Sequence, residues 1–181
     1  MARKPGDNAA PLVDLEEVYR MHAHDLRRFA LYLSGDATLA DDLVADAFVR
    51  AWTVRDRIET ATVRGYLFTI VRNLFLRHCQ RQRRQTPLDA GTIDGRPGPE
   101  EHACGENELH IVLAALARLP EPDRAAVLMR ADEGLPYGDI AISLGISTAA
   151  AKVKVHRARL KLAEILCSAS PACTARKEGE P

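Results

Sequence analysis

Between Lys152 and Lys161 every charged side chain is basic: Lys152, Lys154, Arg157, Arg159 and Lys161, with His156 among them. At about 100° per residue, Ala151, Val155, Ala158 and Leu162 fall on one face of a helix. Val153, His156, Arg157 and Leu160 fall roughly opposite, flanked by the lysines. A small apolar face packs such a helix against its neighbours, while cations on the outside suit the phosphates and base edges of a DNA major groove. A solvated basic helix would have the same composition, so the preceding residues matter. Tyr137, Ile140, Ala141 and Leu144 form an apolar helix face, Gly145 can take the left-handed conformation that ends it, and Ser147 can cap the next helix. That is a predicted helix-turn-helix.

A second nucleic-acid chemistry lies upstream. From Arg64 to Arg84 the charged residues are all arginines, and Tyr66, Phe68 and Phe75 sit among them around a Leu67, Ile70, Val71, Leu74 and His78 stripe. Guanidinium groups follow phosphates, and aromatic rings stack on unpaired bases for about 1 to 3 kcal/mol each. For Phe75 core packing is the expectation. A third pattern, Asp42, Asp46 and Arg50 at i, i+4 and i+8, marks the outer side of another helix. No histidine or cysteine converges on those carboxylates in sequence, so neither catalysis nor a metal follows from them.

These residues need helices to hold them. The spacing predicts one from Asp14 to Leu33 on Leu15, Val18, Tyr19, Leu26, Phe29, Ala30 and Leu33, with His22 as a hydrogen-bonded residue at the core edge. A second opens at Thr38, with Asp41 as a variant capping box, and runs to about Trp52 over Ala40, Leu43, Val44, Ala47, Phe48 and Ala51. Thr53 to Val63 reads as a loop, followed by the arginine helix. Thr86 to Gly105, rich in Pro, Gly and acids, reads as a flexible linker. A helix resumes near Glu106 with Leu109, Val112, Leu113 and Leu116 on one face. Pro122 suits the first turn of the next, which Gly134 ends. After Leu166 the tail is small and polar, a disordered composition. The expected fold is all-α: two small helical domains joined by a flexible linker, the second ending in the helix-turn-helix.

The 181 residues carry 25 acidic and 25 basic side chains, so a nucleic-acid partner rests on local segregation of charge, not on net charge. The opening residues MARKPGDNAAPL lack an apolar targeting core and no run is long enough to span a membrane, which predicts a cytoplasmic protein. Cys79, Cys104, Cys167 and Cys173 are too irregular for a disulfide framework, so reduced thiols are expected.

Four segments in this order resemble the extracytoplasmic-function (ECF) sigma factors of bacterial RNA polymerase: ADDLVADAFVRAW, RGYLFTIVRN, LARLPEPDRAAVLMR, and GLPYGDIAISLGIS with AKVKVHRAR. The resemblance spans Leu12 to about Leu166. It implies a transcription initiation factor, without enzymatic activity or cofactor, whose partners are core RNA polymerase (β′ and β subunits), promoter DNA and an anti-sigma factor. It implies that residues 12–85 form region 2, 86–105 the linker, 106–166 region 4 and 167–181 a tail. Asp42, Asp46 and Arg50 would face the polymerase. Arg64, Tyr66, Phe68, Arg72, Asn73 and Arg77 would open and hold the minus-10 element. Lys152, Val153, His156 and Arg157 match the groove-facing positions for the minus-35 element, beside Lys154. The sequence departs from the family pattern at Tyr66, Arg77 and Val153. An apolar Val153 can touch a thymine methyl but cannot hydrogen-bond a base, so the promoter sequence does not carry over.

Two other readings fit parts of the chain. An ordinary helix-turn-helix regulator would use the second domain on operators and the first for dimerisation or sensing. A metal or redox sensor would use His102, Cys104, Cys167 and Cys173, although C-x5-C is not a standard zinc spacing.

Overall fold

The computed structural model describes residues 14–54, 63–85 and 104–169. They form α1 (Leu15–Ser34), α2 (Ala37–Thr53), α3 (Val63–Gln85), α4 (Cys104–Ala117), α5 (Glu121–Val127, continued by a π-helical turn over Leu128–Asp132), α6 (Tyr137–Leu144) and α7 (Thr148–Ala169). Among the described residues there are no strands. The expected loop centre at 55–62 and most of the linker, 86–103, lie outside them, as do 170–181. α7 runs on to Ala169, past the Leu166 boundary drawn from composition.

Local chemistry explains the ends. Asp14 accepts from the N–H groups of Glu16 and Glu17 to start α1, and Gly35, at φ 75°, stops it. α2 begins two residues earlier than the Thr38 capping box proposes. Asp36 is its N-cap, accepting from Leu39 N at 3.0 Å, while Asp41 is turned outward to Arg27. Gly145, at φ 67°, ends α6, and the Ser147 hydroxyl accepts from Ala150 N, as the turn chemistry predicts.

In the first region α1, α2 and α3 enclose Leu26, Phe29, Leu33, Ala40, Ala47, Leu67, Phe68 and Val71. Phe68 meets Phe29 edge-on with ring centroids 5.1 Å apart. In the second, Leu116, Met129, Leu135 and Ile140 close on Ala151, Val155 and Ala158 of α7, the face that the 100° spacing selects. Not every stripe is buried. Tyr19 is 54% exposed and leans on the Phe48 ring, and α4 leaves Leu109 and Val112 partly open while burying Ala115 and Leu116.

The two regions are packed together. α3 lies against α6, and α1 touches α4, α5 and the π turn. Gly65 permits a close approach: a Cβ there would meet the Asp139 side chain at 2.6 Å. No helix among the described residues is long and apolar enough to cross a membrane.

Candidate nucleic-acid interface

α7 presents Lys152, Val153, His156 and Arg157 to solvent, with Val153 49% exposed. This row is held outward because Ala151, Val155 and Ala158 are buried on the other side and leave the helix no freedom to roll. Lys152 lies 5.8 Å from the Tyr137 ring centre, and Arg130 stacks on the same ring at 4.6 Å. Lys154 differs from its neighbours. Its Nζ is 2.8 Å from Oδ1 of Asp123 on α5, and Lys161 Nζ is 3.2 Å from Oδ2. Burial raises the Asp123 carboxyl, but these two lysines hold it below its ordinary value. Lys154 is therefore committed inward, a role that the run of cations in the sequence conceals.

α3 divides the six residues expected on it. Tyr66, Asn73 and Arg77 are exposed and share one stripe with Gln80 and Arg84. Phe68 is fully buried, so as placed it holds α3 to α1 through Phe29 and does not face a base. Arg72 is also buried, with 8% of its surface exposed. Its Nε and Nη2 donate to the two Glu121 carboxylate oxygens at 2.7 and 2.9 Å, and Nη1 donates to the Ser143 carbonyl at 2.7 Å. Arg64 is half-buried between Asp25 and Glu133, at 3.3 and 3.1 Å. Sequence periodicity does not reveal that occupation, because the acids come from elements far along the chain.

On α2, Asp42, Asp46 and Arg50 are exposed, as the helical spacing predicts. Val49, 65% exposed, projects close beside Asp42 on the side away from Asp46, and Trp52, 59% exposed, borders the same side. Val49 was not among the expected contacts, although its i+3 relation to Asp46 places it on that face. Large apolar groups held in water beside an ordered row of charges suit a protein partner.

Among the described residues no group of three histidine, cysteine or acidic side chains could hold a metal ion. His102 and Cys173 lie outside those residues. Cys167 is disulfide-bonded, a correction to the expectation of reduced thiols, whereas Cys79 is free with its thiol raised by burial.

Residues 18–85 match the family described as Sigma-70 region 2, and residues 109–162 match Sigma-70, region 4. The chain is 36% identical over 146 residues to the ECF RNA polymerase sigma factor EcfG of Rhodopseudomonas palustris, covering 78% of each chain. It is 33% identical over 174 residues to the ECF RNA polymerase sigma factor SigL of Mycobacterium tuberculosis, covering 91% of this chain and 98% of the relative. Among solved structures it resembles the sigma factor RpoE bound to the anti-sigma factor NepR from Bartonella quintana. There the TM-score is 0.69 and the identity 28%, over 84% of this chain and 96% of the other. CnrH in complex with the cytosolic domain of CnrY gives a TM-score of 0.65 at 25% identity, over 86% and 89% of the two chains.

Proposed function

Since the chain belongs to the ECF RNA polymerase sigma factors, promoter-specific initiation factors without enzymatic activity, we propose how its surfaces divide that work. Region 2 covers residues 12–85 and region 4 covers 106–166, joined by a linker at 86–105. The exposed side of α2, with Asp42, Asp46, Val49 and Arg50, docks on core polymerase. The Tyr66, Asn73 and Arg77 stripe, joined by Arg64 and Arg72 once these are released, takes the opened minus-10 strand. Extruding a base costs a few kcal/mol, which phosphate contacts and binding to polymerase offset. Lys152, Val153, His156 and Arg157 enter the minus-35 major groove.

The observation that carries this division is the segregation of faces on α7, with its alanines and Val155 buried and this row of four exposed, together with the open α3 stripe in the other region. Linking two modest sites raises their combined affinity, which suits one factor spanning two promoter elements. The reading also places the protein in the cytoplasm. Because a structurally similar sigma factor was solved bound to an anti-sigma factor, it gives the chain an anti-sigma partner.

The test is transcription in vitro with core polymerase and fragmented genomic DNA, mapping start sites with and without the protein. New starts sharing two spaced elements are expected. Substitution of Arg157 should scramble the upstream element alone, and Tyr66→Ala should impair opening while leaving duplex binding. Equal losses in both assays for both variants would refute the division.

A further inference from the structure

Among the described residues, two guanidiniums and three carboxylates meet where α1, α3 and the π turn come together. Asp25 and Arg28 on α1 and Arg64 on α3 come from the first region, and Asp132 and Glu133 from the second. Arg28 donates to Asp132 at 2.8 Å and to Glu133 at 2.9 Å, and lies 3.6 Å from Asp25. Arg64 reaches Asp25 at 3.3 Å and Glu133 at 3.1 Å. With every group ionised, this cluster holds one more negative charge than it can pair. Asp139 of α6, set against Gly65 next to Arg64, brings a further acid to the same side.

The surplus falls on Glu133. The side chains of Asp25 and Asp132 keep 29% and 31% of their surface in water, which solvates their charge, whereas the Glu133 side chain keeps none. Of three acids sharing two cations, the one cut off from water gains most from a proton. Both guanidiniums and Asp25 lie across the boundary from Glu133, so this environment exists only while the two regions touch.

We infer that Glu133 is a proton-binding site built by the contact between the regions: its carboxylate takes up a proton as they dock and gives it to solvent as they part. Burial pushes the docked carboxyl up to about 7 against the pull of Arg28, with Asp25 and Asp132 adding to the push; in water it returns to its ordinary 4.5. The docked form therefore binds the proton more tightly. Docking is strongest below 4.5 and weakens by up to about tenfold per pH unit until about 7, above which it is level. His22, which also faces Arg64, works with the opposite sign below 6.5, because burial and that arginine disfavour its charged form. The site is independent of which arginines meet DNA. It makes the docking of the regions sensitive to pH below neutrality, and any partner that parts them there releases a proton to the buffer.

The test titrates the full chain without polymerase from about pH 5 to about pH 8, following the Glu133 side-chain carboxyl by NMR and the radius of gyration by solution scattering. A His22→Gln chain measured alongside removes the opposing histidine. The carboxyl should titrate near 7, and the radius should rise with pH as the proton leaves. Glu133→Gln is neutral at every pH and should stay compact throughout. Were an ionised Glu133 the clasp on Arg28 and Arg64, that variant would instead be expanded at every pH. Asp25→Asn is the second variant. Asp25 pairs with Arg28 and Arg64 of its own region, so its loss removes the surplus charge without touching the second region, and both transitions should move to lower pH. A carboxyl that titrates near 4.5, a radius that ignores pH, an expanded Glu133→Gln, or transitions unmoved in Asp25→Asn would each overturn the inference.

Discussion

Lys154 Nζ stands 2.8 Å from Asp123 Oδ1 and ties α7 to α5. Asp123 is 8% exposed and also holds Lys161, so the pair fixes the angle at which α7 leaves the domain. Lys154→Ala should therefore cost stability, about 1 to 3 kcal/mol in urea unfolding, because Asp123 loses its closer partner. The slope of DNA affinity against salt should change little. Lys152→Ala should do the reverse, reducing that slope by about 1 while stability holds. A full unit of slope lost in Lys154→Ala would place that lysine on phosphate instead.

The two aromatics two positions apart on α3 should separate cleanly. Phe68 is enclosed against Phe29, and its replacement by Ala should destabilise region 2 by about 3 to 5 kcal/mol through the cavity left. Tyr66 is 38% exposed, so Tyr66→Ala should leave the melting temperature nearly unchanged and weaken single-strand binding by about 1 to 3 kcal/mol. Circular dichroism melts alongside fluorescence anisotropy distinguish the two, and a stable Phe68→Ala protein with lost strand binding would reverse their roles.

On α2, Val49→Asp adds a charge to the open face without removing a core contact. Helicity should be retained, and affinity for core polymerase, measured by biolayer interferometry, should fall by about 1 to 2 kcal/mol, with a comparable or smaller loss for Asp46→Ala. Undiminished binding in both variants would remove this face from the polymerase interface.

Burial pushes the Glu133 carboxyl up to about 7 from its ordinary 4.5; Arg28 pulls it down, while Asp25 and Asp132 push it further up. Arg64 also contacts it directly. The folded chain then binds this proton more tightly than the unfolded chain, so Glu133's contribution is complete below 4.5 and is lost as pH rises through about 7. Nearby His22 is lowered from 6.5 by burial and by Arg64, so it acts with the opposite sign, and only below that value. Urea midpoints should consequently fall between pH 6.5 and about pH 8, and Glu133→Gln should flatten that interval. A midpoint that rises across it would contradict the assignment.

The sequence by itself determined the helices, the helix-turn-helix and the exposed row on α7. Each follows from interactions within a few residues: Ser147 capping Ala150, Gly145 reversing the chain, and alanines and valines recurring on one side of a helix. The α2 charges were legible for the same reason, and Val49 could have been read with them. What only the tertiary structure decided is which cations are free. Arg72 meets an acid 49 positions away and Arg64 one 69 positions away, and no periodicity encodes such pairs. Phe68 and Tyr66 were equally ambiguous. α3 is covered by its own domain on one side and by region 4 on another, so apolar residues occupy much of its circumference and no single stripe marks the core. Lys154 and Lys152 are alike in sequence, and the placement of Asp123 beneath one of them sets them apart.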